Sequence, residues 1–97
     1  MRATFSRPAL IQIRTILDHL RERNPKAAEG LAARMQAALV EIAANPKLGR
    51  MQDVEGVRKK VVFPGGYLLF YSVNEAEQSA MVLAVAHPKQ NRSYKDA

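Results

Sequence analysis

Residues 56–73 read GVRKKVVFPGGYLLFYSV, and this stretch decides the fold. The run 57–63 alternates with a period of two, as a β-strand does; one side carries Val57, Lys59, Val61 and Phe63, and the other carries Arg58, Lys60 and Val62. Pro64-Gly65-Gly66 is typical of a turn. Residues 67–73 are apolar on both sides, which predicts a central strand next to the first one.

Two helices precede this stretch. Ser6 is a suitable N-cap, and Pro8 lies in the first turn, where its missing N–H does no harm. Apolar residues then recur at helical spacing and predict a helix over about 7–23. Asn24-Pro25 repeats the start signal, and the second helix continues until Asn45-Pro46. Because almost nothing joins the helices, we expect an antiparallel hairpin.

The remaining segments complete one domain over 1–97. Residues 1–5 suit an edge strand, 46–56 a loop and 80–86 a third strand of an antiparallel meander. The order is β-α-α-β-β-β, an α+β fold with a helical hairpin packed on one face of a small, mainly antiparallel sheet. One helix pair leaves the second face open, and we expect Arg58 and Lys60 to project from that open face.

Composition limits the function classes. The apolar fraction of 47% supports a packed core, and the absence of cysteine excludes disulfides and thiolate metal sites. A net charge of +6 favours a negatively charged partner. We see no bilayer-spanning apolar run, no signal peptide, no metal motif and no nucleotide loop, so we expect a cytoplasmic protein without a cofactor.

Three stretches resemble one family in order and at about the right spacing. They are NPKAAEGLAARMQAALVEIAANPKLGR at 24–50, GVRKKVVFPGGYLLFYSV at 56–73 and LAVAH at 83–87, followed by basic residues. The series resembles the ParE/RelE superfamily of toxins from bacterial type II toxin–antitoxin modules. That resemblance covers roughly residues 6–92 and implies a small α+β toxin. It also implies a hetero-oligomer with a cognate antitoxin whose acidic segment folds on binding.

The superfamily has two modes of action, and the resemblance alone does not choose between them. RelE-like members cleave mRNA on the ribosome, whereas ParE-like members poison DNA gyrase and are not known as nucleases. Many RelE-like ribonucleases carry an arginine where this chain has Leu68. An apolar side chain cannot stabilise the charge that develops on a phosphate, which favours the ParE-like reading.

Ribonuclease chemistry would need an acid, a base and cations, and residue types alone offer a catalytic set: Arg58, His87, Arg92 and Tyr94. A second set is expected to bind a partner or nucleic acid: Arg50, Arg58, Lys60, His87, Lys89 and Arg92. If the chain is ParE-like, no catalytic set is needed and it is not an enzyme.

Ordinary structural roles compete with each of these assignments. His87 would then bond to backbone at a strand end, Arg58 would pair with Asp53 or Glu55, and Tyr94 would pack back on the sheet. We therefore expect a ParE-like toxin acting on DNA gyrase. The alternatives are a RelE-like endoribonuclease acting on mRNA at the ribosome, and a non-toxic basic module that binds nucleic acid.

Overall fold

A computed structural model describes residues 1–89 and Tyr94, in which two helices and five strands follow one another. In chain order these are β1 (Arg2–Phe5), α1 (Arg7–Arg23), α2 (Pro25–Ala44), β2 (Arg50–Met51), β3 (Val57–Val62), β4 (Tyr67–Asn74) and β5 (Ser79–Ala86). The predicted order is confirmed with one addition, because β2 lies inside the segment expected to be a loop. No helix in this described part of the chain has the length and apolarity to cross a membrane.

Side-chain caps start both helices where the sequence indicates. The Oγ of Ser6 accepts the N–H of Ala9 at 3.2 Å, and the Oδ1 of Asn24 accepts the N–H of Ala27 at 3.1 Å. Each bond satisfies one of the amides that a helix start leaves without an intrahelical partner. Asn24 also ends α1, since its own N–H donates to the carbonyl of Leu20. One residue thus forms the whole connection of the helical hairpin.

The strands form one mixed sheet in the order β1-β5-β4-β3-β2. β1 runs parallel to β5, and the other neighbours are antiparallel. The chain can return to β5 in parallel only because the helices and the β2–β4 segment lie between the two strands. β4 is the central strand, as its apolar sequence predicts, and its residues 68–71 are all buried.

A β-bulge interrupts the pairing of β4 with β5. Phe70 pairs with Ala84 but Tyr71 pairs with Val82, so Leu83 is the extra residue. β1 has ended by this point, and Ser6, the N-cap of α1, and Gln12 of α1 provide the polar partners that β5 needs there. The Oγ of Ser6 donates to the carbonyl of Leu83 at 3.2 Å, and the N–H of Val85 donates to the side-chain oxygen of Gln12 at 2.7 Å. The edge of β5 beyond β1 is therefore hydrogen-bonded by the helix.

The sheet separates two apolar clusters. The larger one lies between the helices and the sheet and includes Leu31, Met35 and Ile42 of α2 with Leu69 and Tyr71 of β4. The smaller one lies on the open face, and its buried members are Val57, Leu68, Phe70, Ala84 and Ala86. The expected arrangement, with helices on one side of the sheet only, is confirmed, but the open face is apolar at its centre.

Candidate partner-binding surface

Arg58 and Lys60 do not project from the open face, and the expectation that they do is wrong. Arg58 pairs with Tyr71 and Lys60 pairs with Leu69, and both β4 residues belong to the helix-facing cluster. Residues that pair directly across two strands lie on the same side of the sheet. The predicted alternation along β3 is confirmed, but the side that carries Arg58, Lys60 and Val62 faces the helices.

The guanidinium of Arg58 binds the backbone of a loop and is therefore not positioned to bind a phosphate. One guanidinium nitrogen of Arg58 donates to the carbonyls of Lys47 and Gly49, both at 2.9 Å. The hydroxyl of Tyr71 donates to the carbonyl of Pro46 at 2.6 Å and accepts the N–H of Gly49 at 3.0 Å. A Cβ on Gly49 would overlap the Tyr71 phenol, which explains the glycine. The two side chains form a clamp on residues 46–49. The alternative considered for Arg58, a pairing with Asp53 or Glu55, is wrong, because its guanidinium binds these carbonyls instead.

The other β3 and β2 cations divide between the two sides of the sheet. Lys60 makes a salt bridge with Glu41 of α2 and is about three-quarters buried. Lys59 points to the open side, and Arg50, its cross-strand partner, lies on the same side. Lys59 is a surface cation that the sequence assignment missed, although the alternation in 57–63 already separates it from Arg58 and Lys60.

His87 lies at the other end of the sheet, on the helix-facing side. Its ring packs edge-on against Tyr67, with ring centres 5.4 Å apart. Its Nδ1 accepts the backbone N–H of Lys89 at 3.1 Å, so the predicted backbone bond at a strand end is confirmed. Lys89 itself is exposed. Arg58 pairs with Tyr71, four residues from Tyr67 on β4, so the strand positions beside Arg58 and His87 are about 13 Å apart along the strand.

Tyr94 lies on the opposite face from His87. Its ring packs on Phe70, with ring centres 5.6 Å apart, and it covers the open-face cluster. The alternative role considered for Tyr94, packing back on the sheet, is confirmed. Arg92 lies outside the described residues. Of the four catalytic candidates, the three that the structure describes lie in three separate places and form no common site.

Two clefts flank the ring of Tyr67. The first, of about 480 Å³, lies between α1 and the end of β5, and its polar lining consists of Thr15, His19, Arg23, Tyr67 and His87. The second, of about 420 Å³, lies between α2 and the β3–β4 turn, and its apolar lining includes Leu20, Ala27, Leu31 and Pro64. We call these the basic cleft and the apolar cleft.

His19 is absent from both candidate sets drawn from the sequence, although it lines the basic cleft together with His87. The four-residue spacing of Thr15, His19 and Arg23 indicates one line along the helix. Only the packing of α1 over the end of β5 brings that line to His87, and no sequence pattern encodes this packing.

Comparison with known proteins gives a consistent result. The family described as "ParE toxin of type II toxin-antitoxin system, parDE" matches residues 3–92. No curated protein sequence matches the chain.

Solved structures share the fold at low identity. A chain of the chromosomal ParDE system of P. aeruginosa is 20% identical, with a TM-score of 0.76 over 90% of this chain and 95% of that one. A chain of the intact E. coli RelBE toxin–antitoxin complex is 20% identical, with a TM-score of 0.64 over 94% and 98%. The isolated E. coli RelE toxin is 21% identical, with a TM-score of 0.63 over 97% and 88%.

Proposed function

The chain belongs to the ParE toxin family of type II toxin–antitoxin systems, and from this premise we propose that it inhibits growth by acting on DNA gyrase. We further propose that a cognate antitoxin neutralises it by forming a hetero-oligomer with it. Action on gyrase would take place in the cytoplasm and would not require the chain to be an enzyme.

The apolar centre of the open face is the main observation that favours gyrase over mRNA as the target. Leu68 and Phe70 occupy its centre, are 2% and 0% exposed, and pack against Ala84 and Ala86. Cleavage of RNA needs cations and a proton donor and acceptor within reach of one phosphate. In residues 1–89 and Tyr94, the acid–base and cationic candidates Arg58, His87 and Tyr94 are separated, and the centre of the open face is apolar. This arrangement supports a protein-binding toxin over a ribonuclease.

The charge of the chain supports an acidic antitoxin. The net charge is +6, and a basic surface accelerates encounter with an acidic chain and favours it over basic competitors. The structural neighbours from P. aeruginosa and E. coli come from toxin–antitoxin systems, which is consistent with such a partner.

A supercoiling assay tests the target. Purified gyrase, relaxed plasmid and ATP should yield less supercoiled product, or trapped cleaved DNA, as the chain is added. The control is the Leu69→Asp variant, in which a charge in the buried helix-facing cluster should prevent folding and remove the inhibition.

Primer extension on mRNA from expressing cells separates the two modes of action. Under the proposal, growth stops without new breaks at ribosomal A sites, and His87→Ala leaves growth inhibition in place. Unaffected supercoiling together with A-site breaks that His87→Ala abolishes would contradict the proposal and favour the ribonuclease. Normal growth on expression would favour a non-toxic nucleic-acid-binding module.

A further inference from the structure

We propose that the basic cleft and the apolar cleft act together as a recognition site for a peptide in which an acidic residue adjoins an apolar one. The carboxylate would enter the basic cleft, and the apolar side chain would enter the apolar cleft across the Tyr67 ring. The inference rests on the proposed function in one respect, since it assigns such a peptide to the antitoxin.

The basic cleft collects hydrogen-bond donors from two elements. His19 and Arg23 follow each other by one turn on α1, and His87 approaches from the end of β5. None of the residues that line this cleft is acidic, so the guanidinium of Arg23 has no carboxylate within the cleft itself, and His19 and His87 add imidazole N–H donors. Charge-assisted bonds to a carboxylate are about twice as strong as bonds between neutral groups. An anion is the ligand that this lining favours.

The hydrogen bond of His87 orients its ring for this purpose. Because Nδ1 accepts the N–H of Lys89, the neutral ring carries its proton on Nε2. The edge-on contact with Tyr67 holds the same ring from the side. In this neutral form Nε2 is available as a donor, and a carboxylate oxygen is a suitable acceptor.

The apolar cleft begins on the other side of the same ring. Tyr67 and Leu20 line both clefts, so the two sites are separated only by these side chains. Leu31 and Pro64 form much of the apolar wall, and Gly30 leaves room because a Cβ there would meet nothing within 4 Å. Arg34 also lines this cleft, and one of its guanidinium nitrogens donates to the carbonyl of Phe63 at 3.1 Å. A leucine-sized side chain placed here would lose contact with water, which favours binding.

This combination favours a peptide over nucleic acid. A phosphate could occupy the basic cleft, but the neighbouring nucleoside would then bring polar base edges and sugar hydroxyls against Leu20, Leu31 and Pro64. Polar groups that lose water without gaining partners weaken binding. In a peptide, consecutive residues can present a carboxylate and an aliphatic group a few ångströms apart.

Nuclear magnetic resonance titration of the ¹⁵N-labelled chain tests the site directly. The probes are the blocked dipeptides acetyl-Glu-Leu-amide and acetyl-Leu-Glu-amide, each compared with its glutamine counterpart, and adenosine 5′-monophosphate. At least one acidic dipeptide should cause saturable shifts localised to residues around both clefts. Its glutamine counterpart should bind about fivefold more weakly, because it loses the charge-assisted bonds.

Three substitutions give matched controls. Arg23→Gln should weaken the acidic dipeptide about threefold, which is modest because Arg23 is exposed, whereas Arg14→Gln on the same helix but outside both clefts should change nothing. Gly30→Leu should fill the apolar cleft and reduce binding about tenfold. It should also keep the fold, since leucine favours helix over glycine.

Three outcomes would overturn the inference. These are shifts that are absent or spread over the surface, equal binding of the glutamate and glutamine dipeptides, and tighter binding of the nucleotide than of either acidic dipeptide. Growth inhibition after expression is a separate measurement that reports on the proposed function. A growth-inhibiting chain that ignores the dipeptides would contradict the site alone, and a chain that binds them without inhibiting growth would contradict the toxin function alone.

Discussion

The two faces of the sheet bury similar side chains by different means. On the helix-facing side, two helices cover Leu69 and Tyr71, and polar side chains at the rim bind loop carbonyls. On the open side, Leu68 and Phe70 are as deeply buried, yet in the described chain their cover consists of neighbouring side chains and the ring of Tyr94. Equal burial therefore does not imply equally rigid packing, because two helices cover one side of the sheet and a single layer of side chains covers the other.

This difference also separates the chemistry. Two of the cations expected to bind a partner or nucleic acid make internal contacts on the helix-facing side, where Arg58 binds loop carbonyls and Lys60 pairs with Glu41. The open side keeps Lys59 and Arg50 near its β2 edge and an apolar centre. A face of this composition offers little to a scissile phosphate.

The adjacent leucines of β4 provide the strongest test of the comparison. Leu69→Ala should lower the free energy of unfolding by about 3–5 kcal/mol, because the helices above it cannot collapse into the cavity. Leu68→Ala should cost about 2–3 kcal/mol, because the thinner cover can shift inward and water can reach the site. Urea denaturation of both variants measures the two values.

The pair controls for residue type, since both positions are leucine and both are essentially inaccessible. Equal costs would show that the open face is as firmly packed as the helix-facing core. A larger cost at Leu68 would reverse the comparison.

The clamp on residues 46–49 predicts a smaller effect. Tyr71→Phe should cost about 1–3 kcal/mol, because the phenol loses bonds to Pro46 and Gly49 and leaves partly buried groups unpaired. Hydrogen exchange of the Gly49 amide should accelerate more than exchange in β5. Tyr67→Phe is the control, and Gly49→Ala should disturb the same loop from the other side. Unchanged exchange at Gly49 would show that the loop does not depend on the phenol.

The salt bridge between Lys60 and Glu41 should contribute least. Glu41 is largely exposed, so solvent screens the pair, and Lys60→Gln should change the free energy of unfolding by no more than about 0.5 kcal/mol. Thermal unfolding at low and at high salt measures this difference. A loss above about 2 kcal/mol would mean that the rim of the helix-facing side is a firm part of the core.

Much of the fold could be predicted because local chemistry determines it. Ser6 and Asn24 cap helices by bonding three residues ahead, and the apolar run of β4 indicates a central strand wherever it lies in the sheet. β2 was missed because two residues carry no periodicity. The parallel partner of β1 was not evident either, since pairing between distant segments depends on their packing.

The candidate site could be predicted less well. Alternation shows which β3 residues share a side. Both sides carry valine, with Val57 and Val61 on one and Val62 on the other, so the pattern does not show which side the helices cover. The role of Arg58 depends on carbonyls about ten residues away, and that of His87 on a helix some seventy residues earlier. Such contacts between distant segments are fixed by the folded chain as a whole.

The extra residue at Leu83 determines which side of the sheet the later side chains of β5 face. Because side chains alternate, the bulge sends Val85 and His87 toward the helices; a strand one residue shorter would send them to the opposite side. Deletion or insertion of one residue here would move the His87 side chain to the other side of the sheet, while the composition and net charge of the chain would hardly change. Relatives that differ in length at this point would present different chemistry on the same architecture, so alignments of the family must be judged by residue count in this strand as well as by residue identity.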